Sequence, residues 1–262
     1  MEHITDPKLV EMRKELLDIR TRLYGDAMKN LIHDEMEQSD RNIKHYLALS
    51  EGKFREVYVE VREKGLSATD YFAWQSAAMR KAIAGDPEEK KRVTIETVFP
   101  AHPEHYMILD SGVVETLGGL PTNASICRVD PMPQFLIDCA DDNYFGGKNS
   151  GVKLADGTVW SYGLTEYKDT DDGASMKLHV FWPEKCPEIF FADHARHFAV
   201  EYRNFIHMAY DALKGTDKVK GELEISFDTS FGPADEARVD EWEMMAAQRA
   251  LDNFHMLLKD KD

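Results

Sequence analysis

The sequence is short of cysteine, of basic residues relative to acidic ones, and of long apolar runs. Three cysteines, Cys127, Cys139 and Cys186, are scattered through 262 residues with no CxxC spacing. That excludes a disulfide framework and a thiolate zinc ribbon, and the three read as buried thiols of a reducing compartment. Acidic residues outnumber basic ones by 48 to 32, a formal charge of -16, which opposes binding to nucleic acid or to anionic membranes. No apolar stretch approaches the length of a membrane span, and the opening MEHITDPKLVEMRKELL has no signal-like apolar segment. Cytoplasmic residence is the expectation. GxSxG, GxxxxGK[ST] and HExxH signatures are also missing, and the glycine-bearing GGLPT and FGGKNSG read as loops.

What is present is ordinary globular texture: 43% hydrophobic residues, enough for a real core. Residues 7–50 have helical periodicity, with Leu9, Met12, Leu16, Ile19 and Leu23 at three- and four-residue intervals. Residues 51–65 are open between helix and strand, since Val57, Val59 and Val61 alternate. Ser67 and Asp70 form a capping box ahead of an Ala-rich helix that Gly85 stops. From about residue 93 the texture changes to short β-branched runs, VTIETVF, HYMILD, GVVETLG, ASICRVD and QFLIDCA, then GVKLADGTVWSYGLTEYKDTDDGASMKLHVFWP. Asp110-Ser111-Gly112, Asp156-Gly157 and Asp171-Asp172-Gly173 mark hairpin turns. A long helix follows from Pro187 to about Leu213, then the strand GELEISFD, then a closing helix begun by Pro233.

The expected fold is α+β: a curved antiparallel sheet gripping one long helix, with a cavity between them for a small apolar or aromatic ligand. Residues 1–90 would be a helical N-terminal segment and residues 91–262 the catalytic or ligand-binding domain. Whether the N-terminal helices cap the cavity, cover the sheet or make a homodimer interface is open.

Two clusters carry chemistry. On the 187–213 helix, Phe190, Phe198, Phe205, Met208 and Ala212 share a face, and His194, His197 and Glu201 lie in its middle; Arg196, Arg203, His207 and Asp211 lie opposite. A carboxylate facing the interior must be paired or bound to metal, and His197 and Glu201, four residues apart, can reach one ion. In the hairpin FPAHPEHYMILDSGVVETLGG, His105 and Glu115 fall nearly opposite each other across the turn. His105 is preferred to His102 because Pro103 makes that end irregular, and Glu104 has the opposite parity. Two imidazoles and two carboxylates, His105, Glu115, His197 and Glu201, suit Zn²⁺, with Fe²⁺ or Mn²⁺ as alternatives. The same residues, read without a metal, are hydrogen-bonded pairs or an acid–base couple.

HPEHY followed by VVETLGG, then HFAVEY on a late helix, resembles the 2,4-diacetylphloroglucinol and phloretin hydrolases over about residues 90–210. The resemblance implies a Bet v 1-like (START-like) helix-grip domain behind an N-terminal helical segment. It also implies a zinc ion held by two His and two Glu, by position His105, Glu115, His197 and Glu201, and hydrolysis of the carbon–carbon bond between an acyl group and a phenolic ring. In such a reaction His194 is the first choice as acid–base group, with Tyr106 and Tyr202 as proton carriers or phenol-orienting groups. The alternatives are a non-enzymatic carrier of a small apolar ligand and a metal-free lyase or isomerase using a His–Glu pair.

Overall fold

The computed structural model describes residues 3–259. Helix α1 (Pro7–Arg22) starts from Asp6, whose carboxylate accepts the N–H groups of Lys8 and Leu9, and buries Leu9, Met12, Leu16 and Ile19. Helices α2 (Asp26–Leu31) and α3 (His33–Ser50) follow. Residues 54–66 then form a strand, β1, with Val57, Val59 and Val61 fully buried on one face. Helix α4 (Ala68–Ala84) is capped by Ser67, whose hydroxyl accepts the Asp70 N–H. Helix α5 (Pro87–Val93) runs through a π-helical turn (Thr94–Val98) into the short α6 (Phe99–Ala101).

The hairpins come next: β2 (His105–Ile108), β3 (Gly112–Leu117) and β4 (Leu120–Arg128). A short helix α7 (Gln134–Cys139) interrupts them before β5 (Phe145–Lys153), β6 (Val159–Asp169) and β7 (Gly173–Pro183). Helix α8 spans Glu188–Leu213, β8 and β9 span Val219–Thr229 and Gly232–Asp235, and α9 spans Glu236–Lys259.

All described strands join one antiparallel sheet of nine, in the order β2-β3-β4-β5-β6-β7-β1-β8-β9. Its two edges, β2 and β9, do not pair with each other, so the sheet is open and neither curled nor closed. This overturns the curved helix-grip expectation and with it the Bet v 1-like and START-like assignments. The segment before residue 90 is not purely helical either. It supplies β1, which pairs with β7 on one side and β8 on the other near the middle of the sheet. The alternating valines carry that outcome, because a two-residue period buries one strand face and a helix would scatter it.

Four local readings also change. VTIETVF is helical, continuing α5, and QFLIDCA is mostly the helix α7. FGGKNSG belongs to strand β5 rather than a loop. Pro233 sits in β9, and the closing helix begins three residues later.

The main core lies between one sheet face and α8, with α3 and α4 completing it; Val57, Val59, Val61, Met176, Leu178, Trp182, Phe190, Phe191, Val200 and Ile206 all belong to it. A second apolar cluster joins α1, α2 and α9 around Leu9, Leu16, Leu251 and Phe254. Helix α9 packs on the side of α8 remote from β1, so α8 is covered from both directions. Arg203, which periodicity places on the outer side, is 1% exposed for this reason. Its guanidinium pairs with Glu243 and Asp240 of α9, and Glu243 also takes the Arg13 guanidinium of α1. One fully buried carboxylate thus ties together α1, α8 and α9.

Removing Glu243 takes from two buried guanidiniums the carboxylate that they share. Glu243→Ala is therefore expected to lose about 3–5 kcal/mol of stability. Urea unfolding checks this, and a loss below about 1 kcal/mol would show that the network is not holding the three helices together.

Candidate metal or acid–base centre

The hairpin β2–β3 pairs His105 directly with Glu115. Gly118, in the turn between β3 and β4, has φ +61° and lies so close to α8 that a Cβ there would collide with the Phe190 ring. Only glycine permits both the turn and that approach, and it brings the Glu115 strand against the helix carrying His197 and Glu201.

At that contact the side chains converge. His105 Nε2 is 3.2 Å from His197 Nε2, and 3.7 Å from both Glu115 Oε2 and Glu201 Oε1. His197 Nε2 is 3.1 Å from Glu115 Oε2. His105, His197 and Glu115 are buried, and the Glu201 side chain is 18% exposed. The four residues named from the sequence therefore meet in one place.

His102 joins them. Its ring stacks on His197 with centroids 3.6 Å apart, and ligand atoms of His102, His105 and His197 all lie within 4.8 Å of one another. Pro103 had made the His102 end look irregular. His102 itself is extended and Pro103-Glu104 form a turn before β2, and buried Arg20 organises this irregular end: its guanidinium donates to the carbonyls of His102, Pro103 and His105 at 3.0–3.1 Å. Nothing in the sequence marks Arg20, since one basic residue among many in α1 carries no pattern. Glu104 turns the other way, as its parity predicts, and takes both ends of the Arg249 guanidinium at 2.7 and 2.8 Å.

Tautomers follow from the neighbours. His105 Nδ1 lies 2.8 Å from the Val98 carbonyl, at a helix end where carbonyls lack intrahelical partners. Nδ1 must donate there, so the Nε2 lone pair is left facing the cluster. His102 Nδ1 accepts the Glu104 N–H, leaving its Nε2 to carry the proton in the neutral ring. His197 Nδ1 and His194 Nδ1 are buried without a hydrogen-bond partner.

Burial pushes the Glu115 carboxyl up, but the charge of His197 and its contact with the carboxylate outweigh this and hold it well below the usual carboxylate range. Burial lowers His197, and Glu115 reverses this so that the net direction is upward. Burial raises Glu201 against the pull of His105 and His197. His194 is the opposite case: burial lowers it to about 3, with Glu115 opposing only in part. Its ring lies edge-on to Trp182 at 4.8 Å and to Phe198 at 4.3 Å, a neutral imidazole in an aromatic wall.

The two tyrosines fall in different places. Tyr202 is buried with Tyr167 and Tyr71; its hydroxyl is 3.5 Å from that of Tyr167, and burial, then the other two phenols, raise it well above its ordinary value. Tyr106 lies in the second apolar cluster against Phe254, with its hydroxyl 3.2 Å from Thr116, and burial pushes it up to about 12. The cavity reaching His102 and His197 holds about 20 Å³, room for one water or ion and not for an aromatic ring. Of the cysteines, only Cys186 is buried; Cys127 and Cys139 are half-buried and free.

Compared with protein-family profiles, curated proteins and solved structures, the chain matches none. The centre is thus defined by its own geometry: three buried histidines, His102, His105 and His197, with Glu115 against two of them, suited to coordinating a metal ion or to acid–base catalysis.

A histidine held neutral by burial binds its proton in the unfolded chain first. Between about 6.5 and 3 the unfolded state takes up more protons, so stability contributed by neutral His194 is present above 6.5 and drains away as pH falls toward 3. The expected result is a His194→Phe variant whose stability falls less steeply with acid, by up to about 1.4 kcal/mol per pH unit. Denaturant titrations at several pH values measure it, and parallel slopes would refute the assignment.

Proposed function

We propose that the protein is a metal-dependent enzyme whose ion is held by His105, Glu115, His197 and Glu201. The observation that carries this reading is the spacing of the four ligand atoms. A tetrahedral ion with ligands at about 2.0–2.1 Å separates neighbouring ligand atoms by about 3.3–3.4 Å. Four of the six separations among these atoms, those linking His105 to the other three and His197 to Glu115, run from 3.1 to 3.7 Å. Two nitrogens and two carboxylates suit zinc, iron(II) or manganese(II), zinc fitting the tetrahedral spacing best. The lone pair of His105 Nε2, fixed by the Val98 carbonyl, supports the same reading. A bound ion there supplies Lewis acidity and acidifies a coordinated water.

The finer proposal is hydrolysis of the carbon–carbon bond joining an acyl group to a phenolic ring. It is supported by the HPEHY, VVETLGG and HFAVEY motifs alone; neither the open sheet nor the cavity of about 20 Å³ beside His102 and His197 supports it. In that reaction the ring carbon gains a proton and the acyl carbon gains the hydroxyl of water. His194, neutral and one helical turn from His197, is suited to move that proton. The Tyr202 and Tyr167 hydroxyls, both kept protonated by burial, are suited to orient a phenolic hydroxyl.

A second reading has its own support. The 3.1 Å contact of His197 with Glu115 is a charged pair without any ion, and a metal-free lyase or isomerase could use it as an acid–base couple. Chelation separates the two.

The test is elemental analysis of protein purified without added metal, beside a His197→Ala/Glu201→Ala variant. About one zinc, iron or manganese per chain, lost in the variant, is expected. Folded protein that takes up no metal from excess Zn²⁺ would overturn the metal reading in favour of the acid–base couple. Arg20→Met, which frees the carbonyls of His102, Pro103 and His105, is expected to weaken that metal by about 10–100-fold in competition with a chelator. Unchanged affinity would show that the loop needs no such support.

A further inference from the structure

The other face of the sheet holds a second group of ligand-type side chains. Along β1 the valines face α8, so Glu56 faces away; along β7, Val180 and Trp182 face α8, so His179 and Phe181 face away. Strand pairing sets His179 opposite Tyr58 and Phe181 opposite Glu56, which makes Glu56 and His179 diagonal neighbours. His179 Nδ1 is 2.5 Å from Glu56 Oε1.

Helix α7 is docked over this face. Leu136 packs with Leu164 and Phe181 in a separate apolar cluster, and the Phe135 ring lies 4.7 Å from that of Phe181. Docking by those two residues brings the last residue of α7, Cys139, over β1. Its Sγ is 3.9 Å from Glu56 Oε1, and one ligand atom each from Glu56, Cys139 and His179 lies within 4.8 Å of the others. His179 is 8% exposed and its Nε2 is buried with no hydrogen-bond partner, whereas Glu56 is open to solvent.

We propose that Glu56, Cys139 and His179 form a second metal site, for a thiophilic ion of the zinc type, with its fourth position open to solvent. Sulfur, imidazole nitrogen and carboxylate oxygen are the ligand set such an ion takes, and three protein ligands with one open position is a known zinc arrangement. Binding takes up the ion, releases the thiol proton and leaves oxidation states unchanged. The site ties α7 to β1 and β7 and is independent of the buried centre, which contains no cysteine.

Cobalt(II) tests it, because a thiolate–cobalt bond gives a near-ultraviolet charge-transfer absorption that imidazole and carboxylate ligands do not. Full-length protein freed of metal by chelation is titrated with CoCl₂. A saturable band is expected in wild type and in a Cys127→Ser/Cys186→Ser variant. It should be absent in Cys139→Ser and require at least tenfold more cobalt in His179→Phe. Circular dichroism confirms that each variant is folded. No band in folded wild type, or a band surviving Cys139→Ser, would overturn the proposal. The His197→Ala/Glu201→Ala variant should keep the band, so failure at one centre is distinguishable from failure at the other.

Discussion

Helix α8 is buried on two sides, and each side carries ionisable groups that must be neutralised where they lie. Toward α9 and α1 the charge is positive, Arg203 with Arg13, answered by Glu243 and Asp240. Toward the β2–β3 hairpin it is a mixture of imidazoles and carboxylates that satisfy one another only if protons or an ion are shared among them. A low-dielectric interior makes both arrangements expensive when incomplete. The surrounding structure is arranged to complete them.

That requirement explains features far apart in the chain. Arg20 of α1 crosses to the carbonyls around His102 and His105. The π-helical turn before α6 leads to the Val98 carbonyl that sets the His105 tautomer. Gly118 lets the hairpin close on Phe190. Arg249 of α9 holds Glu104 away from the cluster and also binds Asp193 of α8. Each fixes backbone or ring orientation around atoms that must agree to a few tenths of an ångström, which is what ligand or proton sharing demands.

The open sheet separates the two chemistries of the molecule. One face packs on α8 and has at its β2–β3 end the buried centre. The other face, partly covered by α7, carries Glu56, Cys139 and His179 near solvent.

Local patterns in the sequence determined a good deal. Three- and four-residue spacing on residues 187–213 placed His194, His197 and Glu201 on one interior face, and the turn at Asp110-Ser111-Gly112 set His105 nearly across from Glu115, a register shift between His105 and Met107 making the pairing direct. Those are short-range relations, governed by helix pitch and by strand pleat, and they survive whatever the rest of the chain does. Tertiary structure alone decided the rest. Burial of Arg203 came from a helix that begins 33 residues further on, with Asp240 and Glu243 as its partners. The admission of His102 depended on Arg20, and the position of β1 between β7 and β8 depended on pairing across more than 100 residues. The open sheet edge, too, is a property of all nine strands together. No local period encodes such long-range pairings, because their free energy comes from which surfaces meet, and that is settled only when the whole chain has folded.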